Sequence, residues 1–126
     1  MNILITGGAG YIGAATSYLL FKKKIIPIII DKLIYKKNNI IPKKSIFFKS
    51  NISNISLVKK IITKYNINSV IHFAAYKDVA ESISDPKKYY NNNYLITKKF
   101  IKCCKDNGIN NFIFSSTAAV YGNLTK

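Results

Sequence analysis

Arginine, glutamine and tryptophan are absent from the 126 residues, and five acids stand against 20 basic residues, every one of them lysine. Each absence excludes something. Bidentate contact to guanine or to a nucleic-acid phosphate needs the guanidinium fork, so a formal charge of +15 does not by itself point to a nucleic-acid partner. A solvated lysine surface is the simpler account, in a chain that uses isoleucine, lysine and asparagine heavily. Its field attracts anionic nucleotides without selecting among them. Cysteine is scarce: Cys103 and Cys104 are adjacent on a helical pattern, so their side chains diverge by roughly 100° and suit neither a disulfide nor a metal clamp. Core and edge positions in a reducing compartment fit them. The single histidine, His72, has no Cys or His at metal-binding spacing and reads as a polar strand end, so no metal site is expected. An apolar run over residues 1–21 has its lysines, Lys22 to Lys24, behind it rather than before it, and glycines interrupt it. That pattern fits neither a signal peptide nor a membrane span, and a cytoplasmic protein is expected.

What the chain does have begins at its first turn. Ile3-Leu4-Ile5-Thr6 reads as a buried strand, Gly7, Gly8, Gly10 and Gly13 follow, and an apolar helical pattern starts behind them. A pyrophosphate held on the amides of a helix N-terminus must come close to the backbone, and a Cβ would keep it away. Gly8-x-Gly10-x-x-Gly13 meets the dinucleotide fingerprint, and Gly7-x-x-Gly10-x-x-Gly13 its shifted variant. The context strengthens the motif. The helical run closes on Lys22 to Lys24, Ile25 to Ile30 is a second strand, and Asp31 ends it, 18 residues after Gly13, where a dinucleotide site holds the adenosine ribose by its hydroxyls. A glycine turn with an unrelated surface aspartate is the alternative reading.

Further along, Lys32 to Lys44 reads as a loop, broken at Asn38-Asn39 and Pro42, and Ser45 to Lys49 as a third strand. Asn51 and Ile52 sit at its exit, within reach of an adenine edge. Ser53 or Asn54 caps a helix carrying Ile55, Val58, Ile61 and Ile62. Ser69 to Phe73 is a fourth strand, followed by Ala74-Ala75-Tyr76-Lys77, small residues that let a backbone pass close to a ligand. Asp85-Pro86 starts a long helix that carries Asn92 on its first turns and ends at Gly108. Asn111 to Ser115 is a fifth strand, with Ser116 and Thr117 at its exit. The order predicts an α/β fold, a doubly wound parallel sheet in a single domain over residues 1–126, with Asp31, Asn51, Lys77 and Thr117 at the carboxyl edge where such sheets bind ligands.

The residues resemble the extended short-chain dehydrogenases and, within them, the UDP-glucose 4-epimerases. The resemblance lies in Thr6 to Gly13, Asp31 with Leu33, His72 to Ala75 with Lys77, Glu81-Ser82 with Asp85-Pro86, Tyr89-Tyr90 with Asn92-Asn93, and Phe114 to Gly122. It covers the whole chain and implies an NAD-binding Rossmann fold. It further implies that NAD is held by Tyr11 and Ile12 beside Gly7, Gly10 and Gly13, by Asp31 at the ribose, by Asn51 and Ile52 at the adenine, and by Phe73, Ala74, Ala75, Lys77 and Asn92 toward the nicotinamide. Thr117 takes the place of a catalytic hydroxyl beside the reacting sugar oxygen. The implied reaction is reversible inversion at C4 of a UDP-sugar: a tyrosine phenolate takes the hydroxyl proton, hydride passes to NAD, and hydride returns to the other face. A homodimer is the implied assembly. Two departures qualify this: Asn51 stands where aspartate is usual, so weaker adenine recognition is expected, and no Tyr-x-x-x-Lys follows Thr117 in the remaining nine residues. The expectation is therefore the cofactor half of such an enzyme, truncated before the last strands and the substrate domain and inactive alone. Two rivals remain, a non-catalytic nucleotide-binding remnant and a 4,6-dehydratase, the latter disfavoured by Ala118 and Ala119 where that branch carries an acid pair.

Overall fold

The computed structural model describes residues 1–34 and 41–122. Residues 35–40 of the lysine-rich loop, with its breakers at Asn38-Asn39, and the last four residues lie outside the described residues. Five strands, β1 (Ile3–Thr6), β2 (Ile28–Asp31), β3 (Ile46–Lys49), β4 (Ser69–His72) and β5 (Asn111–Phe114), form one sheet in the order β3-β2-β1-β4-β5. All pairings are parallel. Chain order reverses about β1, which opens a crevice at the carboxyl ends between β2 and β4.

Side chains alternate across the strands, and the two faces bury different sets. Leu4, Ile28, Ile30 and Val70 face Val58, Ile61 and Ile62 of α2 (Ile55–Lys64) and Phe100, Cys103 and Cys104 of α5 (Thr97–Asp106). Ile3, Ile5 and Ile29 face the other way, where Leu20 of α1 (Tyr11–Lys22) packs on them. Both cysteines are buried core residues rather than one core and one edge position, because α5 turns them toward α2 and the sheet. Burial pushes the Cys104 thiol up to about 12, so it stays protonated. Of the two expected caps, Asn54 is the one used: its Oδ1 accepts from Leu57 N at 3.1 Å.

The expected long helix is not uniform. It opens at α4 (Pro86–Tyr89), capped by Asp85 Oδ1 on Lys88 N, passes through a π-helical segment over Tyr90–Ile96, and regains α geometry in α5. Asparagine is a poor mid-helix residue, and the run Asn91-Asn92-Asn93 sits where the helix widens. A short helix, α3 (Val79–Ser84), and a 3₁₀ turn over Ala118–Tyr121 carried too little periodic signal to be read from sequence. No helix among the described residues is long and apolar enough to cross a membrane.

Candidate functional site

The glycines of the first turn divide by what surrounds them. Gly7 takes φ +67°, a left-handed conformation, and a Cβ there would lie 2.8 Å from Ala74 N, so the turn after β1 and the exit of β4 are in backbone contact. A Cβ on Gly13 would stand 2.3 Å from Gly7 O, which seats the first turn of α1 directly on the loop. Gly10 differs. Its Cβ would meet only Gly7 O, at 3.2 Å, so protein packing alone does not demand glycine there. No side chain caps α1, and Tyr11 and Ile12 are exposed beside it. Bare amides at the positive end of a helix dipole, with the space above them kept clear, fit an anionic group.

Asp31 is joined to this turn. Its Oδ2 accepts from Ala9 N at 3.0 Å and its Oδ1 from Leu33 N at 2.8 Å. Leu33 sits at φ +55°, a conformation costing a leucine roughly 1–2 kcal/mol, and the Oδ1 bond helps to hold it. Each carboxylate oxygen keeps a further lone pair, enough to accept two vicinal hydroxyls.

Beyond β4, Asn93 clamps Tyr76 through both of its amide atoms: Tyr76 N donates to Oδ1 at 2.9 Å, and Nδ2 donates to Tyr76 O at 2.9 Å. Asn92 Nδ2 donates to the same Asn93 oxygen, and Asn92 Oδ1 accepts from Lys32 Nζ at 3.1 Å. On this π-helical segment two consecutive carboxamides thus meet two loops, Asn93 the one after β4 and Asn92 the one after β2. Glu81 fastens the outer side of this loop region by accepting from Lys88 Nζ and, at 2.8 Å, from Tyr89 Oη. Those two bonds hold its carboxyl below the usual range, while burial and the Glu81 contact push the Tyr89 phenol up to about 12.

His72 is a core residue. It stacks on Phe100 and Phe114, and its ring bridges Thr6 Oγ1 (Nδ1, 2.6 Å) and Thr97 Oγ1 (Nε2, 3.3 Å). Thr6 Oγ1 accepts from Ala74 N at 3.3 Å, and its own proton has no other partner among the described residues. Thr6 O–H is therefore assigned as donor to Nδ1, which leaves Nε2–H to donate to Thr97. Burial holds this imidazole neutral, with its pKa down at about 4. The ring is a structural strut that ties β1, β4 and α5 together.

The structure thus brings Gly7, Gly10, Tyr11, Ile12, Gly13, Asp31, Phe73 and Ala74 together around the carboxyl end of β1, with Asn92 joined through Lys32. It gives the other expected residues different settings. Ile52 is 5% exposed and belongs to the core under α2, so only its backbone is available to a ligand. Asn51 is partly exposed, and its Oδ1 accepts from Ser53 N at 3.1 Å, leaving one lone pair and the amide N–H₂ for an adenine. Ala75 and Lys77 are exposed at the β4 exit. Thr117 is exposed on the β5 side, where its Oγ1 accepts from Ala119 N at 3.2 Å. Sequence reasoning named Tyr76 and Asn93 only as parts of motifs and gave neither of them, nor Lys32, a place in the site, because their contacts join distant parts of the chain.

A model of the NAD dependent epimerase/dehydratase family matches residues 3–126. A UDP-glucose 4-epimerase from Klebsiella pneumoniae is 38% identical over 133 residues, covering 100% of this chain and 96% of that protein. A UDP-glucose 4-epimerase from Schizosaccharomyces pombe is 37% identical over 132 residues, covering 99% of this chain but 37% of its own length. Among solved structures, UDP-glucose 4-epimerase from Brucella ovis in complex with NAD superposes with a TM-score of 0.92 at 35% identity, covering 99% of this chain and 38% of that one. The Thermotoga maritima enzyme with UDP-glucose gives 0.92 at 30% identity, covering 100% and 41%. The chain therefore spans well under half the length of most of these relatives. With the match running from residue 3 to residue 126, over a parallel sheet that carries the glycine turn and the Asp31 contact at its carboxyl edge, the chain belongs to the NAD dependent epimerase/dehydratase family.

Proposed function

We propose that residues 1–126 form one NAD-binding domain and serve as the cofactor part of a UDP-glucose 4-epimerase. The observation that carries this reading is the Asp31 Oδ2 bond to Ala9 N, which makes the pyrophosphate turn and the ribose carboxylate one preformed unit. The residues fit the dinucleotide. Gly10 leaves open the space that a Cβ would fill above the bare N-terminus of α1, and both Asp31 oxygens retain acceptor capacity. In this reading the backbone at Tyr11, Ile12 and Gly13 takes the pyrophosphate, and Asp31 takes the adenosine ribose. Asn51, with the backbone of Ile52, takes the adenine, and Phe73 to Lys77 with Asn92 lie toward the nicotinamide. NAD, when bound, supplies a site that accepts a hydride and gives it back.

Thr117 at the exit of β5 is the proposed hydroxyl that orients the reacting sugar oxygen. The UDP-sugar is the proposed substrate of the whole enzyme, supported by the Thermotoga maritima relative with UDP-glucose. No Tyr-x-x-x-Lys follows Thr117, so in this reading these residues hold cofactor and a first substrate contact rather than the proton-transfer pair. A cytoplasmic setting agrees with two buried free thiols, and assembly as a homodimer completes the proposal.

Calorimetric titration of NAD into the purified chain tests the reading, with Asp31→Ala as control. Saturable binding, weakened at least about tenfold by the substitution, is expected from the loss of charge-assisted bonds to the ribose. A folded chain that takes up no NAD would reject it.

A further inference from the structure

Lys32 does something its neighbours do not. Among the described residues the ion pairs are Lys88 with Glu81 and Lys102 with Asp106, and Lys32 is in neither. The adjacent carboxylate of Asp31 points both of its oxygens at backbone amides, of Ala9 and Leu33. The Lys32 ammonium instead reaches forward to two neutral acceptors, Asn92 Oδ1 at 3.1 Å and Tyr76 Oη at 3.3 Å, and lies 5.1 Å from the Tyr76 ring centroid. Because β1 lies between β2 and β4 in the sheet, this contact joins the loop after β2 to the loop after β4 across the carboxyl end of β1. That is where the uncapped N-terminus of α1 emerges.

The partners of Lys32 are themselves held. Tyr76 is clamped through its backbone by Asn93, and Lys88 lies 4.8 Å from the centroid of the same ring. Asn92 has its N–H₂ on Asn93 Oδ1, so its carbonyl oxygen is the atom left to face Lys32. An ammonium carries three N–H donors, and two are used here. Among the described residues no carboxylate lies at ion-pair distance to offset its charge.

We propose that Lys32 is a positioning residue for the diphosphate of the bound dinucleotide: it bridges the two sides of the crevice, holds the Asn92 carboxamide in one orientation, and gives its third N–H to a diphosphate oxygen. The inference rests on the reading that the crevice takes NAD and adds a residue to it. A lysine at the end of β2 invites a role in accepting a 2′-phosphate on the ribose, but this one is directed across the crevice instead.

The test compares NAD, ADP and adenosine as ligands of the full chain, with Lys32→Met and Lys32→Arg, by calorimetry at low and at physiological salt. Lys32→Met is expected to weaken NAD and ADP by about tenfold at low salt, the scale of one charge-assisted hydrogen bond, and adenosine by less than about twofold. Lys32→Arg is expected to restore most of the ADP affinity, and the loss in Lys32→Met should shrink as salt screens the ammonium. An equal loss for adenosine would make Lys32 a structural bridge and overturn the inference. So would unchanged ADP binding in Lys32→Met while the parent chain still binds NAD, a result that leaves the NAD reading standing. A folded parent chain that binds none of the three ligands overturns both.

Discussion

Ile29, in the middle of β2, is sealed between the sheet and α1, whereas Ile113, on the same row and the same face in β5, has 61% of its surface exposed. Phe114, on the opposite face, and the 3₁₀ turn residues Val120 and Tyr121 are exposed as well. The difference lies in the connections. β1 and β2 are joined by a crossover whose helix, α1, folds back over their outer face, so the cover comes from the same stretch of chain as the strands. Among the described residues nothing performs that service for β5. The β2 side of the crevice is consequently closed, with its glycines, its aspartate and its helix start in mutual contact. On the β5 side Thr117 stands on an open surface.

The contrast is sharpest at the glycines. Gly13→Ala should cost about 4 kcal/mol or more, because the new methyl would meet Gly7 O and Gly8 Cα at 2.3 and 2.7 Å and neither backbone can retreat. Gly10→Ala should leave stability within about 1 kcal/mol and lose NAD affinity instead. Denaturant melts of both variants beside NAD titrations separate the two effects. If Gly10→Ala proves as damaging to the fold as Gly13→Ala, the division between packing glycines and a ligand glycine fails.

The next effect concerns the strut between the two sides. The His72 pKa falls from 6.5 in the unfolded chain to about 4 in the fold, so the unfolded chain binds more protons between those values. Its contribution is fully present above pH 6.5, declines as pH falls through that window and is gone below about pH 4, a span worth about 3 kcal/mol. Stability measured from pH 7 down to pH 4 should show this slope. His72→Gln, lower in stability at pH 7, should show it flattened. A parent profile as flat as the variant's would mean the imidazole is not held neutral.

The smallest effect on folding, yet the most visible in solution, belongs to the open flank. Ile113→Lys should change monomer stability by no more than about 0.5 kcal/mol, because the side chain packs on little. It should also reduce concentration-dependent association in sedimentation experiments, since an exposed apolar edge strand invites pairing. Association that persists unchanged would place the sticky surface elsewhere.

Much of this molecule is legible in the order of its residues. Five short apolar runs, separated by helical patterns everywhere but between the second and third, point to a parallel sheet, because parallel strands need crossover connections. The spacing of Gly7, Gly10, Gly13 and Asp31 marks one side of the crevice because it places a glycine turn at the end of one strand and an acid at the end of the next. What escaped was of two kinds. That the Ile52 side chain lies in the core, leaving its backbone for a ligand, and that the long helix widens into a π-helical segment at Asn92 and Asn93 both depend on packing against distant elements, which local pattern does not carry.

Sequence by itself determined the strand and helix order, the glycine turn and the acid at the end of β2, since these depend on backbone sterics and on residues close in the chain. Tertiary structure alone decided the neutral state of His72 between Thr6 and Thr97, the clamp of Asn93 on Tyr76, and the reach of Lys32 across β1 to Asn92. Each of these joins groups at least 17 residues apart. Their energies come from burial and from partners that only the assembled sheet brings within hydrogen-bond distance.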